Sequence, residues 1–338
     1  MKITLFLFSF LAAPLLWAGN NLPVCMYGIG KPAELQVLKR AGFNCFQTYE
    51  QAPELLAALA AEAGKLNLKM AAYPDKVIGS AYDKEAKDWP MLAWYLYDEP
   101  EVRRMPLEEL LKLDRRVKEW SPAQRTAFVM GDGIAAFTYG GAADVLMADW
   151  YPVPHLDLGS VGQQIALLRE GAKMLDAKNP GKPVWAVLQA FDWMEFPQRR
   201  AKKVGGFPTF AQVRFMTYLA LARGARGIFY FKYASQDGVP LADRPERWDI
   251  YGRMAAELGR MGPVFMEGRQ TDPPAGLDPA LSAAAFKKGG RRYLVLVNSA
   301  SFPVALDTEV MKGWRPLFEE RRGLPSDMPP LSVRILEK

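Results

Sequence analysis

From Pro23 onward, short apolar runs alternate with segments of helical period. Strands are predicted at Val24–Tyr27, Asn44–Tyr49, Lys69–Tyr73, from Leu92 to Asp98, and at Arg125–Met130, Asp144–Asp149, Pro183–Phe191 and Gly227–Tyr233. Between them lie helical patterns at Ala33–Ala41, Pro53–Leu66, Leu107–Trp120, Val161–Ala177 and Phe210–Arg223, and a last one runs from about Pro245 to Met261. Leu107–Trp120 is the clearest amphipathic segment, with Leu110, Leu111, Leu113 and Val117 forming its apolar side. Eight strand–helix units over roughly 240 residues predict an α/β fold, a closed (β/α)8 TIM barrel, over residues 19–268. No glycine-rich phosphate loop follows the first strand, which counts against a dinucleotide-binding sheet.

Past Arg269 the helical period disappears. Thr271–Pro279 is rich in Pro, Gly and Asp, and Leu281–Phe286 and Arg292–Asn298 read as strands turning at Gly289-Gly290. Val304–Leu306 and Leu331–Leu336 add two more, so residues 269–338 are expected to form a small all-β, sandwich-like domain.

The first residues change where the protein is expected to act. One Lys, an apolar run and Leu16-Trp17-Ala18 before Gly19 have the form of a secretory signal peptide cut after Ala18. That implies export to the periplasm or the extracellular space. The run is short for a membrane span, and no second long apolar run follows. With 50% hydrophobic and 24% charged residues the chain is ordinary and globular, and a monomer is expected.

A net charge of +6 with scattered basic residues and no nucleic-acid motif gives no reason to expect a nucleic-acid partner. The main basic cluster, Arg199, Arg200, Lys202 and Lys203, reads as a solvated loop, with attraction to an anionic glycan as the alternative. A single histidine, His155, argues against a histidine-based triad, and neither a zinc cluster nor a cofactor is indicated. Cys25 and Cys45 fall in the first two strands. Export permits a disulfide, but neighbouring parallel strands rarely offer its geometry, so buried free thiols are expected.

The carboxyl ends of barrel strands carry the chemistry of this fold. Here those ends read Tyr49-Glu50, Tyr73-Pro74-Asp75, Asp98-Glu99, Asp132, Asp149-Trp150-Tyr151, Gln189 through Trp193, and Lys232-Tyr233. Carboxylates and aromatics dominate, as suits sugars, whose C–H faces stack on rings while their hydroxyls bond polar groups. The candidate ligand contacts are Tyr49, Tyr97, Trp150, Tyr151, Gln189, Trp193, Tyr230 and Lys232. Glycosidic cleavage needs a proton donor and a second carboxylate. Glu99 ends a rigid strand before Pro100, backed by Trp94, Tyr95 and Tyr97, and is the candidate acid. Asp98 is a possible partner, although alternation on a strand would point it to the opposite face. Asp149, two strands away, suits the second role better.

AWYLYDEPE resembles the strand-four segment of clan A glycoside hydrolases, in which Asn-Glu-Pro supplies the acid/base; Asp98 stands here in the place of that Asn. It is also similar to a set of secreted glycoside-hydrolase-like barrels, through Tyr95–Pro100, Asp149-Trp150-Tyr151-Pro152, Val187–Phe191 and Tyr218–Ile228. The resemblance implies a hydrolase of O-glycosyl bonds in a poly- or oligosaccharide. Clan A enzymes carry their nucleophile Glu at the end of strand seven, where this chain has Gln189, and Glu195 nearby is a poor substitute. A carbohydrate-binding barrel without catalysis is therefore the alternative. A divalent-metal hydrolase is a remoter one, since the acids are scattered.

Overall fold

The computed structural model describes residues 21–176, 179, 181–197, 205–319, 324 and 326–338. The expected leader, residues 1–18, and the basic cluster at 199–203 lie outside the described residues. Eight parallel strands close into a barrel in chain order: β1 Val24–Met26, β2 Cys45–Gln47, β3 Lys69–Ala72, β4 Met91–Asp98, β5 Thr126–Met130, β6 Val145–Trp150, β7 Val184–Gln189 and β8 Ile228–Phe231. The closing pair is β1 with β8, in register from Val24↔Ile228 to Met26↔Tyr230. Around them lie α1 Pro32–Arg40, α2 Pro53–Leu66, α3 Leu107–Trp120, the single turn α4 Ala136–Tyr139, α5 Ser160–Leu175, α6 Phe210–Ala222 and α7 Pro245–Glu267. After β3 the connection holds only the short 3-10 turn Glu85–Asp88, as the broken pattern there implies.

Strand alternation sorts the side chains into two cores. Cys25, Tyr27, Cys45, Tyr95, Val129, Val145, Met147, Trp185, Val187 and Phe229 fill the barrel. Met26, Phe46, Leu96, Phe128, Leu146, Leu188 and Tyr230 point outward against the helices. The expectation of free thiols is overturned. Cys25 and Cys45 are direct partners across β1 and β2, with Cα atoms 4.5 Å apart, and they form a disulfide inside the barrel. That spacing lies at the short end of the range a disulfide tolerates. Two inward residues at the same level of adjacent strands satisfy it without a crossover.

Helix α6 has an almost uniformly apolar surface because it is covered twice. Thr209 caps it with Gln212 in a reciprocal capping box, and Val213 and Phe215 through Leu221 are buried. One side meets the barrel. The other meets the C-terminal sheet, ordered β13 Arg315–Pro316, β15 Ser332–Glu337, β11 Arg291–Asn298, β10 Leu281–Lys288 and β9 Arg269–Thr271. A two-stranded ribbon, β12 Val304–Ala305 with β14 Asp327–Met328, completes the small all-β region. Helix α7 runs six residues past its expected end at Met261, carrying Pro263 inside it, to Glu267, and leads directly into β9.

Candidate active site at the carboxyl end of the barrel

The site begins with an irregularity in β4. Tyr95 pairs with Ala127 and Asp98 with Val129, so three steps along β4 oppose two along β5. The extra residue reverses the alternation beyond Tyr95. Tyr97 packs towards the helix layer, and Asp98 takes the inward side, where Tyr95 Oη donates to its Oδ1 at 2.7 Å. The expectation that Asp98 and Glu99 face apart therefore fails. Glu99 bonds through its N–H to Val129 O at 3.0 Å and adopts φ +52°, left-handed backbone that few non-glycine residues accept. That turn brings its carboxyl over the barrel as well.

Glu99 lies within hydrogen-bond reach of Asp149, which stands on β6 opposite Val187. The charge of Glu99 is among the causes that keep the Asp149 carboxyl protonated to higher pH. Tyr151 Oη donates to Asp149 Oδ2 at 3.1 Å, and Asp149 Oδ1 is buried with no hydrogen-bond partner among the described residues. Both carboxyls keep their protons to higher pH than usual. For Asp149 the shift is the larger, caused first by burial and then by the charges of Glu99 and Asp98. For Glu99 burial again leads, followed by Asp98 and Glu101.

Glycine at position 131 makes room for this arrangement, since a Cβ there would stand 3.0 Å from Glu99 Oε1. Glu101 fixes that loop. Its Oε1 accepts from Gly131 N at 2.5 Å and from Asp132 N at 3.2 Å. Arg103 spans the back of the site, donating from Nε to Asp98 O and from Nη2 to Asp98 Oδ2 at 3.0 Å. Sequence reasoning singled out neither Glu101 nor Arg103, although both sit within five residues of Asp98.

Tyrosines form the wall. Tyr27 meets Tyr49, Tyr95 and Phe231 with ring centroids about 6 Å apart (6.1, 6.1 and 5.9 Å), and Tyr73 lies 5.1 Å from Tyr95. Burial first, and the neighbouring carboxylates after it, holds the Tyr27 and Tyr49 hydroxyls in their protonated, hydrogen-bonding form. On the far side Tyr151 stacks on Phe231 at 5.5 Å and Trp193 meets Tyr151 edge-on at 6.4 Å. Lys232 stands over Phe196 and Phe231. Tyr27 went unnoticed in the sequence, though it ends its strand as Tyr49 and Tyr73 follow theirs.

Of the candidate ligand contacts, Tyr49, Tyr151, Trp193 and Lys232 share this mouth. The other four are committed elsewhere. Tyr97 joins the helix layer. Trp150 donates to Ser160 Oγ at 2.7 Å, outside the barrel. Tyr230 Oη meets Thr217 Oγ1 of α6 at 2.9 Å. Gln189 is fully buried; its Oε1 accepts from Val153 N at 2.9 Å, and its Nε2 donates to Val153 O and Phe191 O at 2.8 and 3.1 Å. Its amide thus clasps the segment after β6 to the end of β7, with no capacity left for a ligand. Glu195 caps a 3-10 turn with Asp192 and pairs with Arg247 at 3.4 Å.

Among the described residues no group of three or more His, Cys, Asp and Glu side chains is arranged to hold a metal ion. Nor is any described helix long and apolar enough to cross a membrane.

No family model matches this sequence, and no curated protein is similar to it. Solved structures are similar in fold. An α-amylase from Geobacillus thermoleovorans complexed with acarbose superposes with TM-score 0.55 at 10% identity, over 94% of this chain and 98% of the other. The cyclic α-maltosyl-(1→6)-maltose hydrolase from Arthrobacter globiformis gives 0.53 at 13% identity, over 91% and 88%. A structure described as a glycoside hydrolase gives 0.60 at 13%, over 93% and 91%. At this low identity the likeness is one of fold: a closed parallel barrel with a small β region.

Proposed function

We propose that this chain is an exported glycoside hydrolase that cleaves O-glycosidic bonds of a poly- or oligosaccharide in the periplasm or outside the cell. The observation that carries the reading is a pair of carboxyls, Glu99 and Asp149, that burial and neighbouring charge keep protonated to higher pH at the bottom of an aromatic mouth, with Asp98 beside them. Glu99 is the proton donor in this reading, and Asp149 is the second carboxyl.

In this scheme Glu99 delivers its proton to the glycosidic oxygen. The C1–O bond breaks, and its electron pair stays with that oxygen. Asp98, accepting from Tyr95 and Arg103, keeps negative charge beside the developing oxocarbenium centre. Water adds to C1 and returns one proton to the pair, so each fragment ends with a hydroxyl. No cofactor enters.

The test is Glu99→Gln, which preserves shape but cannot transfer a proton. Hydrolysis of a substrate with a poor leaving group should fall by roughly 10²–10⁴. An activated leaving group should fall far less. Equal rates for variant and parent on a natural substrate would remove Glu99 from the mechanism. One observation favours a second reading, a binding barrel without turnover: Gln189 occupies the strand-seven tip and is wholly engaged. That reading predicts no turnover by the parent and a Glu99→Gln effect on affinity alone.

A further inference from the structure

Three arginines around the mouth have carboxylate partners. Arg103 pairs with Asp98, Arg244 with Asp237, and Arg247 with Glu195. Lys232 has no carboxylate within ion-pair distance among the described residues. Its ammonium stands 5.7 Å from the Phe196 ring centre and 5.9 Å from that of Phe231. The side chain is only partly exposed. Burial weakens its hold on the proton, and Glu195 and Asp237 oppose this from a distance. A cation kept half out of water over two aromatic rings, with no partner, is costly unless something else compensates it.

Its position says what that something is. Phe231 stacks on Tyr151, and Tyr151 donates to Asp149. A single ring therefore separates the ammonium from the tyrosine that bonds Asp149. Resting on the reading of this mouth as a carbohydrate site, we propose that its substrate carries an anionic substituent, a uronate carboxylate or a sulfate ester, and that Lys232 holds it in the subsite beside the cleaved bond. Neutral hydroxyls would leave the positive charge uncompensated, whereas an anion there forms a charge-assisted contact in a partly dry setting.

Binding is measured by calorimetry on the full chain carrying Glu99→Gln, so that turnover does not interfere. The probes are galacturonate, mannuronate and glucuronate tetrasaccharides, their carboxyl-reduced neutral counterparts, and a neutral tetrasaccharide with one sulfate ester. At least one charged probe should bind about tenfold or more tighter than its neutral counterpart, and the preference should shrink with added salt. Lys232→Met, which keeps the stem, should abolish the preference, and Lys232→Arg should keep it. Whether uronate or sulfate shows the effect identifies the anion. Equal affinity for charged and neutral probes, or a preference that survives Lys232→Met, overturns the inference while leaving a carbohydrate site in place. If neither kind of probe binds, the carbohydrate reading falls and the inference with it.

Discussion

Glu99, just past β4, and Asp149 on β6 are fifty residues apart in sequence and stand together at the mouth, where both carboxyls hold their protons to higher pH than usual. Burial is the first cause for each, which makes the pair sensitive to pH in a definite direction.

Both carboxyls hold their proton more tightly in the folded chain than at the unfolded values of about 3.9 for Asp and 4.3 for Glu. The folded state therefore binds more protons than the unfolded one above that range, and stability must fall as pH rises. The contribution is complete below the unfolded values and is lost as pH climbs through the folded ones. Asp149→Asn removes a group that resists ionisation. Calorimetric melting should show it more stable than the parent at pH 7, with the difference shrinking towards pH 4. A parent and variant that melt in parallel across this range would contradict the raised proton affinity of Asp149.

Gln189 offers a different test. Its amide both accepts from Val153 N and donates to two carbonyls, which a carboxylate cannot do. Gln189→Glu should therefore lower the melting temperature and give no gain in turnover. Gln189→Ala, which leaves three buried backbone groups unsatisfied, should cost roughly 2–4 kcal/mol in chemical denaturation. Increased hydrolysis by Gln189→Glu would mean that this strand tip can still present a nucleophile.

The disulfide closes a segment of 20 residues between β1 and β2. Chain-entropy reasoning gives such a crosslink about 3 kcal/mol. Cys25→Ala with Cys45→Ala should lose stability of that order in denaturant titrations, as should reduction of the parent. A variant of unchanged stability would show that barrel packing alone fixes these strands.

At Gly131 an added methyl would press on Glu99 Oε1 at 3.0 Å and on Glu101 Oε1 at 3.5 Å. Gly131→Ala should displace the acid and lower kcat by roughly tenfold or more, since small misplacements are costly in catalysis. Stability should change by no more than about 1 kcal/mol, because the loop's backbone bonds remain. Steady-state kinetics beside a melting curve separates the two effects.

The barrel was legible because its signal is local and repeated eight times; each strand and helix announces itself within its own few residues. The strand tips were legible for the same reason, and they brought Glu99, Asp98 and Asp149 into view. Their orientation was not. The extra residue in β4 is a property of its pairing with β5, and no pattern within AWYLYDEPE marks it. Trp150 and Tyr230 read like sugar platforms until alternation from inward Asp149 and Phe229 turns them to the helices. The Cys25–Cys45 bond depended on register between neighbouring strands, and the role of Gln189 on a backbone segment 36 residues earlier. Each miss was a question of partner rather than of residue type.

The C-terminal sheet has two apolar faces with different owners. Leu281, Leu294, Leu296, Trp314 and Leu336 belong to a cluster of its own, whereas Ala284, Phe286, Val295, Val297, Val333 and Ile335 lie in the same core as the barrel's helices. The change of pattern near residue 269 is thus a boundary of topology and not of cohesion. Arg214 on α6 reinforces this by donating to Val333 O at 3.1 Å while paired with Glu257 on α7. A chain ended at that boundary would leave α6, the helix that delivers β8 and Lys232 to the mouth, with a greasy flank open to water. Cutting this protein into a barrel and a dispensable tail would therefore yield a sticky barrel, and the chain must be made and handled as one piece.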